Sequence, residues 1–466
     1  MKHLVAGPGV CALASMLVAI PLVPPPAGAR EASALALGTA PQRIETICRA
    51  IAGVRQLDFK HDVQVETQDL VAFRAYVEAG IRKEYGDDMG AGYVRGLVVL
   101  GALAHSVELL DEVLLLLEDQ AAAHYDPTPG NKRYYILATN APAAMLDLIS
   151  SHELCHALQD QHYDLYGMVE SDLARTRRNA DFGMARQALV EGDATLVMTV
   201  WMLMEQLGSH ASDMAFSMSS MTLKAQAGMT LSELMTLSET MKDDPVYGGA
   251  GMSMASLKDR PRYFVRLLMD AYMQGAVMVD YVRQRGGWEA VDALYRDPPA
   301  STEQVLHPEK LVGQRDDPRP VLLPDVGDAL PDGWRMLEED VLGELGMRVM
   351  FERLISDVGS ADAAAGWGGD RYRLYVSADD DEHFLVWQTL WDSPSDAREF
   401  AVAYQAGLRE RFDAIVALEQ RRADDGRIVQ VWQVAPGRWI TLVRHADAVR
   451  ITDTTMKALH KLGVAY

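Results

Sequence analysis

Cysteine is nearly absent, with three in a chain of 466 residues. That count excludes a disulfide-stapled scaffold and a cysteine-rich zinc module. Aromatic residues make up only 7%, and basic residues are outnumbered, 44 Lys and Arg against 66 Asp and Glu. The formal charge of −22 argues against a nucleic-acid partner, which draws on clustered Lys and Arg. Long apolar runs are also missing: no internal stretch reaches the roughly 20 residues that a membrane-spanning helix needs. What is present is ordinary for a globular protein, 49% hydrophobic and 24% charged, and the length allows two or three domains.

The first 29 residues have the three parts of a secretory signal. Met1-Lys2-His3 is short and basic, Val10 to Val23 is apolar, and Ala27-Gly28-Ala29 is a small-residue cleavage site. Pro21 and the Pro24-Pro25-Pro26 run break a helix before it crosses a bilayer. The expectation is a secreted or periplasmic protein with no stable membrane span after signal cleavage; an uncleaved anchor is the alternative. Removing the signal leaves Cys48 and Cys155, either as a single disulfide or, for Cys155, as a small buried thiol.

An Ala-rich stretch from Arg30 to Ala40 reads as a disordered leader, and helical spacing starts at Pro41. Leu97 to Gln120 reads as one helix with a buried run Val113 to Leu117. The period then changes. Tyr125-Asp126, a turn at Thr128-Pro129-Gly130-Asn131, and Arg133 to Leu137 read as a β-hairpin or a strand with a preceding loop. Asn140 is placed to cap the next helix, with Pro142 in its first turn. Helix returns over Ala185 to Leu207 and continues with interruptions to about Tyr295. Within it, the Met-rich region Met214 to Met254 suits an adaptable core or binding surface, and Gly248 to Gly251 a mobile loop.

A proline-rich stretch, Asp316 to Trp334, reads as a linker. Beyond it the pattern predicts helix over Leu337 to Ile355, strands over Arg371 to Val376 and His383 to Trp391, and helix over Ser393 to Phe412. Strands over Ile428 to Val434 and Trp439 to Val443 follow, then a last helix over Thr454 to Leu462. The fold class expected is α+β: a mostly helical catalytic domain over residues 41–315 with a short edge strand or hairpin, a linker over 316–335, and a smaller C-terminal α+β domain over 336–466 with helices on one face of an antiparallel sheet.

His152-Glu153-Leu154-Cys155-His156 carries the chemistry. Two histidines four apart on a helix project from nearly one face and grip a single ion. Glu153, about 100° round from His152, flanks that ion and is placed to take a proton from a water acidified by it. The pattern alone is moderately specific. Its support comes from Ala188 to Met198, apolar almost all round except for Glu191 and Asp193. A carboxylate there is costly unless bound to a cation or paired. Glu191 is therefore either a third zinc ligand or the partner of Arg175, Arg177, Arg178 or Arg186. Gly192 permits a close backbone approach.

His152-Glu153-x-x-His156 followed by a glutamate on a later helix resembles the gluzincin group of zinc metallopeptidases. The longer strings His152 to His162, Glu191 to Ala194 and Pro298 to Glu309 are more closely similar to a set of largely uncharacterised bacterial and archaeal predicted metallopeptidases. The resemblance covers roughly Tyr125 to Lys310 and implies a zincin-like fold, Zn2+ held by His152, His156 and Glu191, and Glu153 as general base. It also implies an edge strand beside the cleft, a role open to Arg133 to Leu137. The pattern departs in two ways: a long insertion, Met168 to Asp181, and Thr195 where an aspartate four residues after the ligand glutamate is expected. Asp193 is about 200° round the helix from that position, so the residue that orients the histidines stays open.

A stabiliser for the oxyanion is expected too. His307 is the first candidate, presented by a short helix with Ser301 and Gln304 at capping-box spacing and held by Glu303 one turn earlier; the alternative is an exposed Glu–His pair with no catalytic part. Tyr263 and Tyr272 are further candidates, and Gln159, Asp160 and His162 could line the cleft. The expected activity is zinc-dependent hydrolysis of a peptide or protein substrate. A non-catalytic zincin scaffold and a hydrolase of a non-peptide amide or ester are the competing readings, and the oligomeric state is open.

Overall fold

A computed structural model describes residues 40–118, 122–138, 143–170, 178–208, 212–241 and 257–461. The expected signal, the expected leader as far as residue 39, the expected Asn140 cap, residues 171–177 of the expected insertion and the Gly248 to Gly251 loop lie outside these residues. The chain is α+β. A helical N-terminal part carries a three-stranded sheet, and the C-terminal part is built on a seven-stranded antiparallel one.

The N-terminal part contains helices α1 (Ala40–Arg55), α2 (Leu70–Tyr85), α3 (Ala91–Leu100), α4 (Leu109–Glu118), α5 (Ala143–Tyr163), α6 (Leu165–Glu170), α7 (Ala180–Leu207), α8 (Ser212–Ala227), α9 (Leu231–Met241), α10 (Arg262–Leu294) and the short α11 (Thr302–Leu306). Its strands are β1 (Gln64–Gln68), β2 (Ala123–Asp126) and β3 (Arg133–Leu137). The helix expected over Leu97 to Gln120 is two, because Gly101 takes a left-handed conformation and caps α3 through its N–H to Leu97 and Val98. β2 and β3 pair antiparallel as expected of the hairpin. The sequence pattern does not reveal β1, which pairs parallel with β3, so β3 is the central strand and cannot serve as the free edge beside a cleft. The edge strands of this sheet are β1 and β2.

α7 and α10 form the centre of the N-terminal part. α7 is buried along nearly its whole length, and it meets α10 with backbone against backbone. A Cβ on Gly192 would lie 2.1 Å from the Gly275 carbonyl carbon, and one on Gly275 would lie 2.1 Å from the Ala188 oxygen. The close approach expected at Gly192 is thus made to Gly275.

The C-terminal part runs β4 (Arg335–Asp340), α12 (Gly343–Leu354), α13 (Asp357–Ala364), β5 (Trp367–Val376), β6 (His383–Trp391), α14 (Pro394–Arg411), β7 (Val416–Arg422), β8 (Ile428–Ala435), β9 (Arg438–His445) and β10 (Ala448–Thr454). The sheet order is β4-β5-β6-β10-β9-β8-β7. Residues expected to open a long helix at Leu337 are strand β4, and α12 starts only after Gly343 turns the chain at φ +73°. The last expected helix is instead the end of β10 and a 3-10 turn, Lys457–Lys461. α14 packs Phe400 and Tyr404 against Trp387.

One hydrophobic core spans both parts. It joins Phe73, Leu97 and Leu117 to Tyr263, Leu345, Phe351 and Trp387. The proline-rich stretch expected as a linker is fastened along the large sheet: the Arg319 N–H donates to the Gly368 carbonyl at 2.7 Å, and its guanidinium bonds Asp447 at 2.7 Å. Asp370 anchors the start of α12, accepting from the Leu342 and Gly343 N–H groups and from the indoles of Trp367 and Trp387. Among the described residues, no helix is long and apolar enough to cross a membrane.

Candidate metal centre

α5 carries the two histidines and α7 the glutamate, and the two helices bring them together across 39 residues of sequence. His152 Nε2 lies 3.0 Å from His156 Nε2 and 3.1 Å from Glu191 Oε2, while His156 Nε2 lies 3.3 Å from the same oxygen. All three residues are buried. Three metal-donor atoms converging within a buried site could serve as a ligand set. Zinc bound at about 2.0–2.1 Å with tetrahedral angles spaces its ligand atoms about 3.3 Å apart, so the triangle fits such an ion. Glu191 faces the histidines and takes no arginine partner among the described residues.

The orientation of His156 has a clear cause. Its Nδ1 lies 2.8 Å from Gln159 Oε1, and the Gln159 amide nitrogen donates to the Val190 carbonyl at 3.1 Å. An amide oxygen only accepts, so Nδ1 carries the hydrogen and the Nε2 lone pair is left for a metal. Gln159 sits one turn after His156, on the same face. That i, i+3 spacing is the signal available in the sequence. Among the described residues, His152 Nδ1 has no hydrogen-bond partner, and neither has the hydroxyl of Thr195, the residue at the place of the expected aspartate. Asp193 points elsewhere, into an ion pair with Arg55.

Glu153 is fully buried beside this triangle. Its Oε2 accepts the Tyr125 backbone N–H at 2.9 Å, while Oε1 has no hydrogen-bond partner among the described residues. Edge strand β2 therefore holds the carboxylate by one oxygen and leaves the other free. Burial pushes its pKa up to about 8, against the lowering pull of His156. Burial acts to raise Glu191 as well, but the imidazoles facing it outweigh that and hold it low. Burial lowers His152; at His156 the same effect is overridden by the Glu191 charge, and the ring is raised. A cation at the centre of the triangle competes with the proton that His156 otherwise keeps.

The ring of Tyr272, on α10, lies 5.6 Å from that of His152. Tyr263 is further along the core with Asp340 and Tyr93. His307 is not brought to the triangle. It ends α11, is about one-third exposed, and its Nε2 lies 2.8 Å from Glu344 Oε1 at the start of α12. Glu303, expected to hold it, is buried and bonds Lys310 instead at 2.6 Å. Ser301 makes no side-chain cap to α11, although Gln304 reaches back to the Ala300 N–H at 2.8 Å. Asp160 accepts from the Tyr125 hydroxyl and pairs with Lys132, and His162 lies 2.8 Å from the Asp58 carbonyl. A second acidic group, Glu303 with Asp316 and Asp392, encloses the Lys310 ammonium and needs no other cation.

Two cavities share residues with the surroundings of the triangle. One of about 390 Å³ is lined by Tyr125, Lys132, Ala157 and Gln161 among others, and an apolar one of about 130 Å³ by Met184, Gln187 and Leu268 among others. Tyr125 holds Glu153, and Gln187 stands one turn before Glu191. Neither lining includes His152, His156 or Glu191.

A family model described as a domain of unknown function (DUF8575) matches residues 334–460. The matched span starts beside β4 and ends in the closing 3-10 turn, so it covers the large sheet and α12 and leaves His152, His156 and Glu191 outside. No curated protein and no solved structure matches the chain.

Proposed function

We propose that this protein is a zinc-dependent hydrolase of peptide bonds that acts outside the cytoplasm, with His152, His156 and Glu191 holding the metal and Glu153 moving the proton. The observation that carries the proposal is the triangle of donor atoms at 3.0–3.3 Å with an unpartnered Glu153 oxygen beside it. A zinc ion held there supplies Lewis acidity towards a water and a carbonyl oxygen. The residues supply the rest. Gln159 fixes the His156 tautomer, the Tyr125 N–H orients Glu153, and the free Oε1 accepts a proton from the attacking water and later returns it to the leaving amine. A binding scaffold has no use for a buried carboxylate held in that way. Localisation rests on residues 1–29, and the resemblance to gluzincins agrees with the ligand set.

Tyr272 takes the place of His307 as the side chain next to the reaction centre. Its ring stands 5.6 Å from that of His152, and a tyrosine in that position is the candidate to stabilise the oxyanion.

The test pairs metal analysis with a Glu153→Gln comparison on a mixed peptide library. Stoichiometric zinc in both proteins, with cleavage by the wild type alone, is the expected result. Zinc without cleavage by the wild type would leave a metal-binding scaffold, and absence of zinc would remove the proposal altogether.

A further inference from the structure

The apolar cavity has no role in the chemistry above, yet its walls pack against Tyr272. α4 supplies Val113 and Leu117, α7 supplies Met184 and Gln187, α10 supplies Leu268, and α12 supplies Leu345. Met184 and Leu268 also pack against Tyr272, whose ring stands 5.6 Å from His152. Gln187 is four residues before Glu191, so both side chains leave α7 on one face. Tyr272 thus joins the cavity wall, through Met184 and Leu268, to His152.

Its contents can be read from its lining. A volume of about 130 Å³ is close to that of an engineered apolar cavity, about 150 Å³, that binds one benzene. The space suits a phenyl ring or a branched alkyl group and is too small for a second. One polar group stands out. Gln187 is buried, and its side-chain nitrogen has no hydrogen-bond partner among the described residues. A buried donor without an acceptor is costly, and a carbonyl brought in with the apolar group satisfies it. Glu84 and Asp181 also line the cavity, which disfavours a carboxylate there.

We propose that this cavity receives one large apolar side chain of the substrate, that Gln187 donates to a carbonyl next to that side chain, and that the C-terminal α+β unit takes part in substrate choice by supplying one wall. The proposal rests on the hydrolase reading and names its substrate class: peptides with an aromatic or branched aliphatic residue beside the bond that is cut. It also gives a role to the family-matched span, because Leu342, Leu345 and Gly346 all lie inside residues 334–460 and line the cavity. That wall is keyed in place. Asp181 accepts from the Thr302 N–H and hydroxyl, and the same hydroxyl accepts the Leu345 N–H at 3.1 Å.

Binding is measured first, apart from catalysis. Acetyl-phenylalaninamide, acetyl-leucinamide and acetyl-glycinamide are titrated calorimetrically into the full chain carrying Glu153→Gln. The expected result is at least ten-fold tighter binding of the phenylalanine and leucine probes than of the glycine probe. Met184→Trp, which fills the cavity, removes that difference. Gln187→Met, close in shape but without the donor, weakens both apolar probes about five-fold. Leu345→Ala, in the C-terminal unit, admits acetyl-naphthylalaninamide, which the parent protein excludes; this gain of binding cannot come from misfolding. Equal affinity for the three probes, or binding indifferent to all three substitutions, overturns the proposal.

The wild-type protein is then assayed on the peptide library. Cleavage confined to peptides with a large apolar residue at one fixed position supports the proposal, and cleavage without that preference overturns it while leaving the hydrolase intact. Selective probe binding by a protein that holds no zinc and cuts nothing retains the cavity as a binding site and removes the hydrolase reading.

Discussion

Arg55 and Asp193, 138 residues apart, form an ion pair in which both side chains are fully buried; Arg55 Nε lies 2.9 and 3.0 Å from the two carboxylate oxygens. The Tyr295 hydroxyl donates to the same carboxylate at 2.8 Å, Arg55 reaches on to Asp292 at 2.7 Å, and its guanidinium lies 4.4 Å from the Trp288 ring centroid. α1, α7 and the end of α10 are thereby tied at one point. Glu191 and Asp193 leave α7 about 200° apart, one towards His152 and His156 and the other towards Arg55. Two carboxylates in one apolar helix thus do two different jobs.

Breaking that pair leaves a charge buried without its partner, a change that typically costs about 3–5 kcal/mol. Asp193→Ala is expected to lower stability by an amount in that range in urea unfolding. The double change Arg55→Met with Asp193→Leu should recover more than half of the loss. An Asp193→Ala protein as stable as the wild type would show that the pair is not holding the three helices together.

Gln159 is expected to act through His156 alone. Gln159→Leu keeps the volume and removes both the oxygen that fixes the tautomer and the donor to Val190. Outer-sphere partners of metal-bound histidines are typically worth about 10–100-fold in affinity, so zinc affinity should fall by that factor in a chelator competition. Thermal stability without metal should change little by comparison. An unchanged affinity would mean that the packing of α5 alone orients the ring.

Gly192 tests the coupling between helix packing and the ligand set. A methyl group there would sit 2.1 Å from the Gly275 carbonyl carbon, and neither helix backbone can yield without moving its whole length. Gly192→Ala is expected to cost about 3 kcal/mol, the upper part of the range for overpacking. Because Glu191 is the adjacent residue, zinc stoichiometry should drop as well. Full zinc occupancy with an unaltered melting temperature would contradict the close crossing.

How much of the fold and the site is legible in the amino-acid sequence depends on how local the cause is. His152, Glu153 and His156 are set by one helix, and Glu191 stands out because an apolar helix rarely carries an unexplained carboxylate. Gln159 lies one turn from His156, but its role also needs the Val190 carbonyl that α7 brings alongside. Residues set by distant partners are not legible. The Tyr125 N–H that holds Glu153 has no side-chain signature. His307 has a short helix and a nearby Glu303, but Lys310 takes that glutamate and Glu344, 37 residues on, takes the ring. β7 has every side chain exposed and so lacks the alternation that marks a strand, while β4 is absorbed into a helical pattern because the break at Gly343 depends on backbone conformation. The shared core, with Leu345 beside Leu117 and Tyr263, cannot be read from a proline-rich stretch that looks like a tether.

The sheet within the family-matched span carries its own pH dependence. Asp453 on β10 is buried; Arg438 grips both its oxygens at 2.8 and 2.7 Å, and His383 Nε2 lies 3.0 Å away. Burial acts to raise this carboxyl, but the Arg438 charge and the hydrogen bonds outweigh it and hold the pKa well below the usual range. A pKa lowered by folding favours the folded state whenever the carboxylate is ionised in both states. The contribution is therefore complete above the unfolded value of about 3.9 and is lost as the pH falls below it towards the folded value. Asp453→Asn should destabilise the protein at pH 7 by about 2–3 kcal/mol, since Arg438 is left partly buried without its partner. The difference between the two proteins should stay constant from pH 7 to pH 5 and shrink from about pH 4 downwards. Melting temperatures measured across that range decide the matter: a gap that holds its size down to pH 2 would mean that Asp453 contributes by shape and not by charge.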